Sequence, residues 1–103
     1  MLIHFKQIMV DIIWGNGNAV FSSNSFVLNV THRKDGNKSE YKDQEKILIK
    51  SADIPGLSNG SDHWDEELLK NSVIGAFLKC EIESRGDDDV LIAKVSHSGV
   101  GGY

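Results

Sequence analysis

The chain has 103 residues, of which 40% are hydrophobic and 25% are charged, and its formal net charge is −4. This composition is typical of a globular protein and excludes a disordered or fibrous chain. A length of about 100 residues predicts a single domain over residues 1–103. No apolar run approaches the ~20 residues that a membrane-spanning helix needs, so we expect no membrane association.

The charge is unevenly distributed along the chain. Residues 1–50 contain seven Lys and Arg against five Asp and Glu, whereas residues 51–103 contain four against ten. A basic first half and an acidic second half predict a dipolar surface. The negative total argues against general binding to duplex DNA, which requires a basic stripe.

Cysteine content and the first residues indicate the compartment. Cys80 is the only cysteine, so no internal disulfide can form. The opening Met1–Lys6 lacks the basic start and the small-residue cleavage site of a signal peptide. We therefore expect a reducing, cytoplasmic location. Cys80 shares the apolar phase of its strand, which predicts a core residue rather than a nucleophile.

The first strand is predicted from Ile3 to Trp14. Its alternation of apolar residues slips between Phe5 and Ile8, which indicates a bulge. This alternation buries the even-numbered positions from 8 to 14 and leaves Asp11 facing water at least in part. The Gly15–Asn18 segment favours a tight turn and is expected to end the strand.

Two further strands follow in the first half. The second is predicted over Ala19–Arg33, and the polar segment Ser22–Ser25 indicates a bend, a bulge or an edge within it. Asp-Gly within Lys34–Lys38 predicts a hairpin turn. The third strand, from about Tyr41 to Lys50, carries lysines on its exposed face, as sheet edges often do.

A helix is predicted from about Asp62 to about Asn71. Ser61 or Asp62 can cap its N-terminus, and carboxylates in the first turn favour the positive end of the helix dipole. Trp64 and Leu68 lie four residues apart and are expected to share a buried stripe. Gly75 argues against a longer helix.

The last third predicts two strands joined by a charged turn. Residues 76–83 alternate between small or apolar and polar positions, which is typical of a half-buried strand. An acidic connection over residues 84–89 leads to Val90–Val95, an apolar run that predicts a strand buried on both faces. The tail, residues 98–103, is expected to be flexible.

The resulting order is β-β-β-α-β-β with one helix at about residues 62–71. This order resembles the OB-fold, a five-stranded Greek-key barrel with a helix in that position. We therefore predict an α+β, β-rich protein. It is either a small OB-like barrel or a five-stranded antiparallel sheet packed on the helix.

Residues that could perform chemistry are scattered. The four histidines, His4, His32, His63 and His97, lie far apart in sequence, and no serine occupies a nucleophile elbow. His63 and Glu67 could supply two ligands to a metal ion, but two ligands do not form a site. We therefore predict a non-enzymatic protein without metal or cofactor.

The leading functional hypothesis is a binding protein that inhibits a basic protein partner, such as a toxin or a nuclease, through an acidic surface. Bacterial or phage immunity proteins and antitoxins act in this manner. Trp64 would be the aromatic anchor if it is not buried. The predicted partner-binding residues are Asp62, Trp64, Asp65, Glu66, Glu67, Asp87, Asp88 and Asp89.

Two alternatives remain open. One is an OB-like module that binds single-stranded nucleic acid through a basic hairpin over residues 33–50, with Phe5, Trp14, Phe21 or Tyr41 as stacking platforms. The basic residues of that hairpin are Arg33, Lys34, Lys38, Lys42, Lys46 and Lys50. The other alternative is an adaptor subunit of a larger complex. The sequence does not predict the oligomeric state.

Overall fold

The structure is a computed structural model that describes residues 10–98. The predicted start of the first strand at Ile3, the bulge between Phe5 and Ile8, and the predicted tail beyond Ser98 lie outside the described residues.

Within residues 10–98 the chain forms five strands and one helix in the predicted order. Their bounds are β1 Asp11–Ser22, β2 Ser25–Arg33, β3 Gln44–Asp53, α1 Glu66–Val73, β4 Phe77–Arg85 and β5 Val90–His97. A short 3₁₀ turn, Asp87–Asp89, connects β4 to β5.

The strands close into a barrel in the order β1-β2-β3-β5-β4, and β4 pairs back onto β1. Strands β3 and β5 run parallel, while the other neighbouring pairs are antiparallel. The prediction of a small OB-like barrel is confirmed. The all-antiparallel sheet, which was the other possibility, is excluded by the parallel β3–β5 pair.

The core fills the barrel with alternate residues of each strand. The predicted parities of β2, β3 and β4 are confirmed, and the core residues of these three strands include Phe26, Leu28, Val30, Ile47, Ile49, Leu78, Cys80 and Ile82. Burial of a large apolar side chain contributes about 1.5–3 kcal/mol. The prediction for β5 was wrong, because Leu91, Ala93 and Val95 are buried but Lys94 between them is exposed.

Strand β1 differs most from its prediction. It does not end at Gly15–Asn18 but continues to Ser22, and its interior positions are the odd-numbered ones, including Asp11 and Ile13. The glycines are needed inside the strand because other backbone segments approach them closely. A Cβ atom would lie 1.9 Å from the Asn29 carbonyl oxygen at Gly15, and 2.0 Å from the Val73 carbonyl oxygen at Gly17.

The turn between the first two strands lies at Ser23–Asn24, later than expected. The segment Ser22–Ser25, predicted as a bend, a bulge or an edge within one strand, instead contains the two-residue loop of the β1–β2 hairpin. The Ser22 hydroxyl hydrogen-bonds to the side chains of Asn24 and Ser25 and stabilises this loop. The β2–β3 connection is a ten-residue loop, residues 34–43, in which Gly36 adopts a φ of 89°.

Helix α1 begins four residues later than predicted. Asp65, rather than Ser61 or Asp62, is its N-cap, and the Asp65 carboxylate accepts a hydrogen bond of 3.1 Å from the Leu68 amide. An acidic first turn supports this start, as the sequence suggested. The helix ends at Val73, because Gly75 adopts a φ of 80° that a helix cannot continue.

The buried face of α1 is formed by Leu69 and Val73. The predicted stripe of Trp64 and Leu68 is wrong, because Trp64 precedes the helix and Leu68 is exposed. The residues that follow α1 bond directly to β1. The Gly75 amide donates to the Gly17 carbonyl at 2.9 Å, and the Gly17 amide donates to the Ala76 carbonyl at 3.1 Å.

We predict that Gly17→Ala destabilises the protein by about 1–3 kcal/mol or more, since the added methyl group would overlap the Val73 carbonyl and push α1 away from β1. Gly86→Ala is the matched control, because a Cβ atom there meets only ordinary contacts, the nearest at 3.4 Å. Urea unfolding of both variants measures the effect. Equal stability of the two variants would contradict the close approach at Gly17.

Candidate partner-binding surface

Four predicted partner-binding residues lie at the entry to α1. Asp62, Asp65, Glu66 and Glu67, here called the helix-entry acidic group, are all exposed. The ring of the neighbouring His63 lies 2.8 Å from the Asp62 carboxylate, and this hydrogen bond lowers the pKa of Asp62. Glu67 lies 3.7 Å from the Lys70 ammonium. The group therefore presents four exposed carboxylates.

Asp87, Asp88 and Asp89, here called the turn acidic group, are also exposed. Asp88 and Asp89 have positive φ angles of 60° and 61°, which short polar side chains tolerate. The Asp89 carboxylate lies 2.6 Å from both the Lys42 ammonium and the Arg85 guanidinium. Hydrogen bonds from these two cations lower the pKa of Asp89. Asp89 is thus already neutralised within the protein, whereas Asp87 and Asp88 make no ion pair among the described residues.

One residue of each acidic group lies near the β1–β2 turn. The Asn24 side-chain amide donates to the Asp62 carbonyl at 3.3 Å, and the Trp64 amide donates to the Ser23 carbonyl at 2.9 Å. Asn24 also lines a depression together with Asp87. Asp62 and Asp87 therefore lie near the same turn, although 25 residues separate them in sequence.

That depression, here called the wall depression, lies on the outer wall of the barrel and has a volume of about 350 Å³. Its lining residues are Phe21, Ser22, Asn24, Ser25, Leu48, Gly86, Asp87, Val90 and Ile92. Phe21 is 49% exposed. The sequence favoured a buried role for most of the aromatic residues, and its periodicity does not indicate this exposed ring.

Trp64 is not a surface anchor. It is 6% exposed, and its indole N–H donates to the Ser58 carbonyl at 3.0 Å. This hydrogen bond satisfies the indole N–H, so Trp64 is a residue of the hydrophobic core. The predicted partner-binding role of Trp64 is therefore wrong.

Three of the six basic residues of the predicted hairpin form ion pairs with carboxylates. Arg33 lies 3.1 Å from Asp43, Lys42 pairs with Asp89, and Lys50 lies 2.6 Å from Glu83. Among the described residues, Lys34, Lys38 and Lys46 make no ion pair. The Lys46 ammonium lies 5.9 Å from the centre of the Phe21 ring. The six residues therefore do not form one uncompensated basic strip.

The remaining candidate stacking residues are less accessible than Phe21. Tyr41 is buried, and Trp14 is half-buried on β1. Phe5 lies outside the described residues. Phe21 is therefore the most exposed of the candidate platforms that the structure describes.

The sequence missed a buried polar cluster around Asp11, the first residue of β1. The Asp11 carboxylate, expected to face water, accepts hydrogen bonds from the Tyr41 hydroxyl at 2.6 Å and from the Lys38 and Ser39 amides at 2.9 and 3.0 Å. Burial opposes ionisation of Asp11, but these hydrogen bonds outweigh it and lower its pKa. Burial and the Asp11 carboxylate together raise the pKa of Tyr41.

Arg85 connects this cluster to the turn acidic group. Its guanidinium lies 5.8 Å from the centre of the Tyr41 ring and 3.6 Å from the Glu45 carboxylate, which is buried. The other Glu45 oxygen accepts a hydrogen bond of 2.8 Å from the Lys42 amide. Arg85 thus compensates a buried charge at the same time as it holds Asp89.

The remaining features do not indicate a catalytic or metal site. Within residues 10–98, no three His, Cys, Asp or Glu side chains converge to hold a metal ion. Cys80 is fully buried, as predicted, and burial raises its pKa. None of the helices described is long and apolar enough to cross a membrane.

The chain was compared with known proteins at the level of sequence and of structure. It matches no protein-family model, no curated protein and no solved structure.

We predict that Asp11→Asn destabilises the protein by about 1–3 kcal/mol at pH 7, since the amide cannot accept all three hydrogen bonds. The pKa of Asp11 is lower in the folded than in the unfolded chain, so its stabilisation is present above the unfolded pKa and is lost as the pH falls through the folded value. The difference between wild type and variant should therefore shrink below about pH 4.

Urea unfolding of both proteins between pH 7 and pH 3 measures this difference. Asp35→Asn, at an exposed position in the β2–β3 loop, is the control and should change stability by less than about 0.5 kcal/mol. An equal loss for Asp11→Asn at pH 3 and pH 7 would show that its ionised form does not stabilise the fold.

Proposed function

We propose that this protein is a non-enzymatic binding protein that inhibits a basic protein partner by covering it with an acidic surface. The observation that supports the proposal is the position of Asp62 and Asp87, one residue of each acidic group, near the same β1–β2 turn. A cytoplasmic immunity protein or antitoxin, of bacterial or phage origin, would act in this manner.

The free charge of this surface supports a basic partner. Its exposed carboxylates without a Lys or Arg within ion-pair distance among the described residues are Asp62, Asp65, Glu66, Asp87 and Asp88. Such a cluster attracts a positively charged surface over a distance comparable to the Debye length, about 8–10 Å at physiological salt. It would accelerate association and would repel acidic proteins and nucleic acids.

Inhibition follows from the kind of surface that these carboxylates would cover. A nuclease, or another protein that handles nucleic acid, binds phosphates through clustered Lys and Arg side chains. Carboxylates that occupy those side chains compete directly with the phosphates. An inhibitor of this type needs no catalytic group.

A second candidate is an OB-like module that binds single-stranded nucleic acid. The Lys46 ammonium beside the exposed Phe21 ring favours it, because base stacking next to a cation is typical of such modules. The ion pairs of Arg33, Lys42 and Lys50 disfavour it. An adaptor subunit would use the same surface as an inhibitor, and would differ in leaving the activity of its partner intact.

To test the leading proposal, the protein is immobilised and used to capture partners from a lysate of the organism that encodes it. We expect one stoichiometric basic protein that is released by roughly molar salt. The double variant Glu66→Lys/Asp87→Lys, which reverses one charge in each acidic group, should weaken binding by about tenfold or more through like-charge repulsion. Purified partner and variant in a titration measure this affinity.

The control is Asp35→Lys, a charge reversal at an exposed position of the β2–β3 loop that makes no hydrogen bond or ion pair with either acidic group among the described residues. It should retain the wild-type affinity to within about threefold, because the altered charge is not part of the acidic surface. A mobility shift with a labelled single-stranded oligonucleotide tests the second candidate. Micromolar, salt-sensitive oligonucleotide binding would overturn the acidic-surface proposal.

A further inference from the structure

Asn59 and Gly60 form an exposed Asn-Gly pair in the connection between β3 and α1. The chain directly before the pair is held in place, because the Ser58 carbonyl accepts a hydrogen bond of 3.0 Å from the indole of the buried Trp64. The pair itself is not held in this way. Neither the Asn59 side chain nor the Gly60 amide hydrogen-bonds to another residue of the described chain.

The backbone of Gly60 leaves room for the Asn59 side chain to fold back onto it. Gly60 has a φ of 111°, and a Cβ atom built there would meet no atom within 4 Å. A positive φ of this size is adopted readily only by glycine. Because Gly60 has no side chain, nothing shields its backbone nitrogen from the carboxamide carbon of Asn59. Ring closure between these two atoms is therefore sterically unhindered.

We propose that Asn59 is a site of spontaneous deamidation, which gives this chain a second, more acidic form. Asparagine is one of the chemically labile residues of proteins. The Gly60 nitrogen attacks the Asn59 side-chain carbonyl carbon and loses its proton. The new C–N bond replaces the bond to the side-chain nitrogen, which leaves as ammonia, and a cyclic imide forms.

Water completes the reaction. It adds to one of the two carbonyl carbons of the imide and breaks the bond between that carbon and nitrogen. The product at position 59 is an aspartyl residue when the side-chain carbon is released, and an isoaspartyl residue when the main-chain carbon is released. No atom is oxidised or reduced, and water is the only co-reactant.

The same dipeptide in β1, Asn16-Gly17, is protected by the fold. The Gly17 amide donates to the Ala76 carbonyl at 3.1 Å, and a Cβ atom at Gly17 would lie 2.0 Å from the Val73 carbonyl oxygen. Asn16 also pairs with residues of both neighbouring strands. The reacting atoms of this pair cannot approach each other unless β1 opens locally, and such an opening costs free energy. The two pairs are alike in sequence, and the structure distinguishes them.

The product carries a negative charge at neutral pH, where asparagine carries none. Position 59 lies three residues before Asp62, the first member of the helix-entry acidic group. Each conversion therefore adds a carboxylate close in sequence to that group. The isoaspartyl product also lengthens the main chain by one methylene group. The reaction needs no partner, so this inference does not depend on the proposed function.

The test follows both Asn-Gly pairs while the folded, full-length protein is incubated in mildly alkaline buffer at physiological temperature. Mass spectrometry of proteolytic peptides detects the replacement of a side-chain amide by a carboxyl group. Each rate is divided by the rate of a synthetic peptide of the same sequence, residues 12–20 or 55–63, so that intrinsic differences between the two sequences cancel. We expect this ratio to be at least about tenfold higher for Asn59 than for Asn16, since only Asn16 requires an opening of β1.

A second readout uses charge and two matched variants. Isoelectric focusing of the incubated wild type should show a more acidic species. Asn59→Gln should slow the appearance of this species at least about tenfold, because the longer side chain must close a larger and less favourably oriented ring. Asn71→Gln is the control, because Asn71 is exposed on α1 and is followed by Ser72 instead of glycine. It should change with time as wild type does.

Two outcomes would overturn the inference. One is an equal normalised rate at Asn16 and Asn59 in the folded protein, which would show that the fold does not select between them. The other is an acidic species that forms in Asn59→Gln as fast as in wild type. The first measurement uses the unmodified chain, so it decides the question even if a variant fails to fold.

Discussion

The contact between Gly17 and the C-terminal end of α1 determines where the other elements lie. Strand β1 pairs with β2 on one side and β4 on the other, so it must also accept the helix without a side chain in the way. Gly17 meets this need through two backbone hydrogen bonds, to Gly75 and Ala76. The segment that precedes α1 lies against the β1–β2 turn, where the Trp64 amide donates a hydrogen bond to the Ser23 carbonyl. The helix-entry acidic group is positioned by this contact.

The polar cluster around Asp11 shows how a small core tolerates buried charge. A buried carboxylate is costly unless hydrogen bonds or a cation compensate it. Asp11 receives three hydrogen bonds, and Glu45 lies beside the Arg85 guanidinium. Arg85 also binds Asp89, so the compensation of a buried group and the geometry of the β4–β5 turn depend on one side chain. The turn that presents Asp87 and Asp88 is therefore tied to the core.

The fold could be predicted where local pattern and tertiary structure agree. The alternation in β2, β3 and β4 identified their core faces, because each strand buries one side against the barrel interior. The prediction failed where a segment distant in sequence determines the conformation or the burial of a residue. The glycines of β1 have the composition of a turn, yet they are needed because Asn29 and Val73 approach them. Asp11 is polar and was expected to face water, but partners near residue 40 allow its burial.

The candidate surface could also be predicted only in part from the sequence. Sequence identified the acidic residues, since charge is a property of each residue alone. It could not show that Asp89 is neutralised by Lys42, 47 residues away, or that Trp64 is buried. It also could not locate the Phe21 bulge, because an extra residue in a hairpin is visible only once its partner strand is known. The acidic residues can therefore be predicted from the sequence. The apolar side chain that lies near them cannot, because the register of the β1–β2 hairpin determines which residue is exposed.

Charge and apolar area on this surface have different physical consequences for binding. Exposed carboxylates attract a basic partner at a distance and mainly raise the association rate, and added salt screens them. An apolar contact acts only after docking, because it requires water to leave the depression, and it mainly slows dissociation. A surface with carboxylates alone would bind many basic proteins weakly. For the proposed inhibitor, the apolar side chains between β3 and β5 would add a requirement of shape, so the combination would discriminate among partners that carry similar charge.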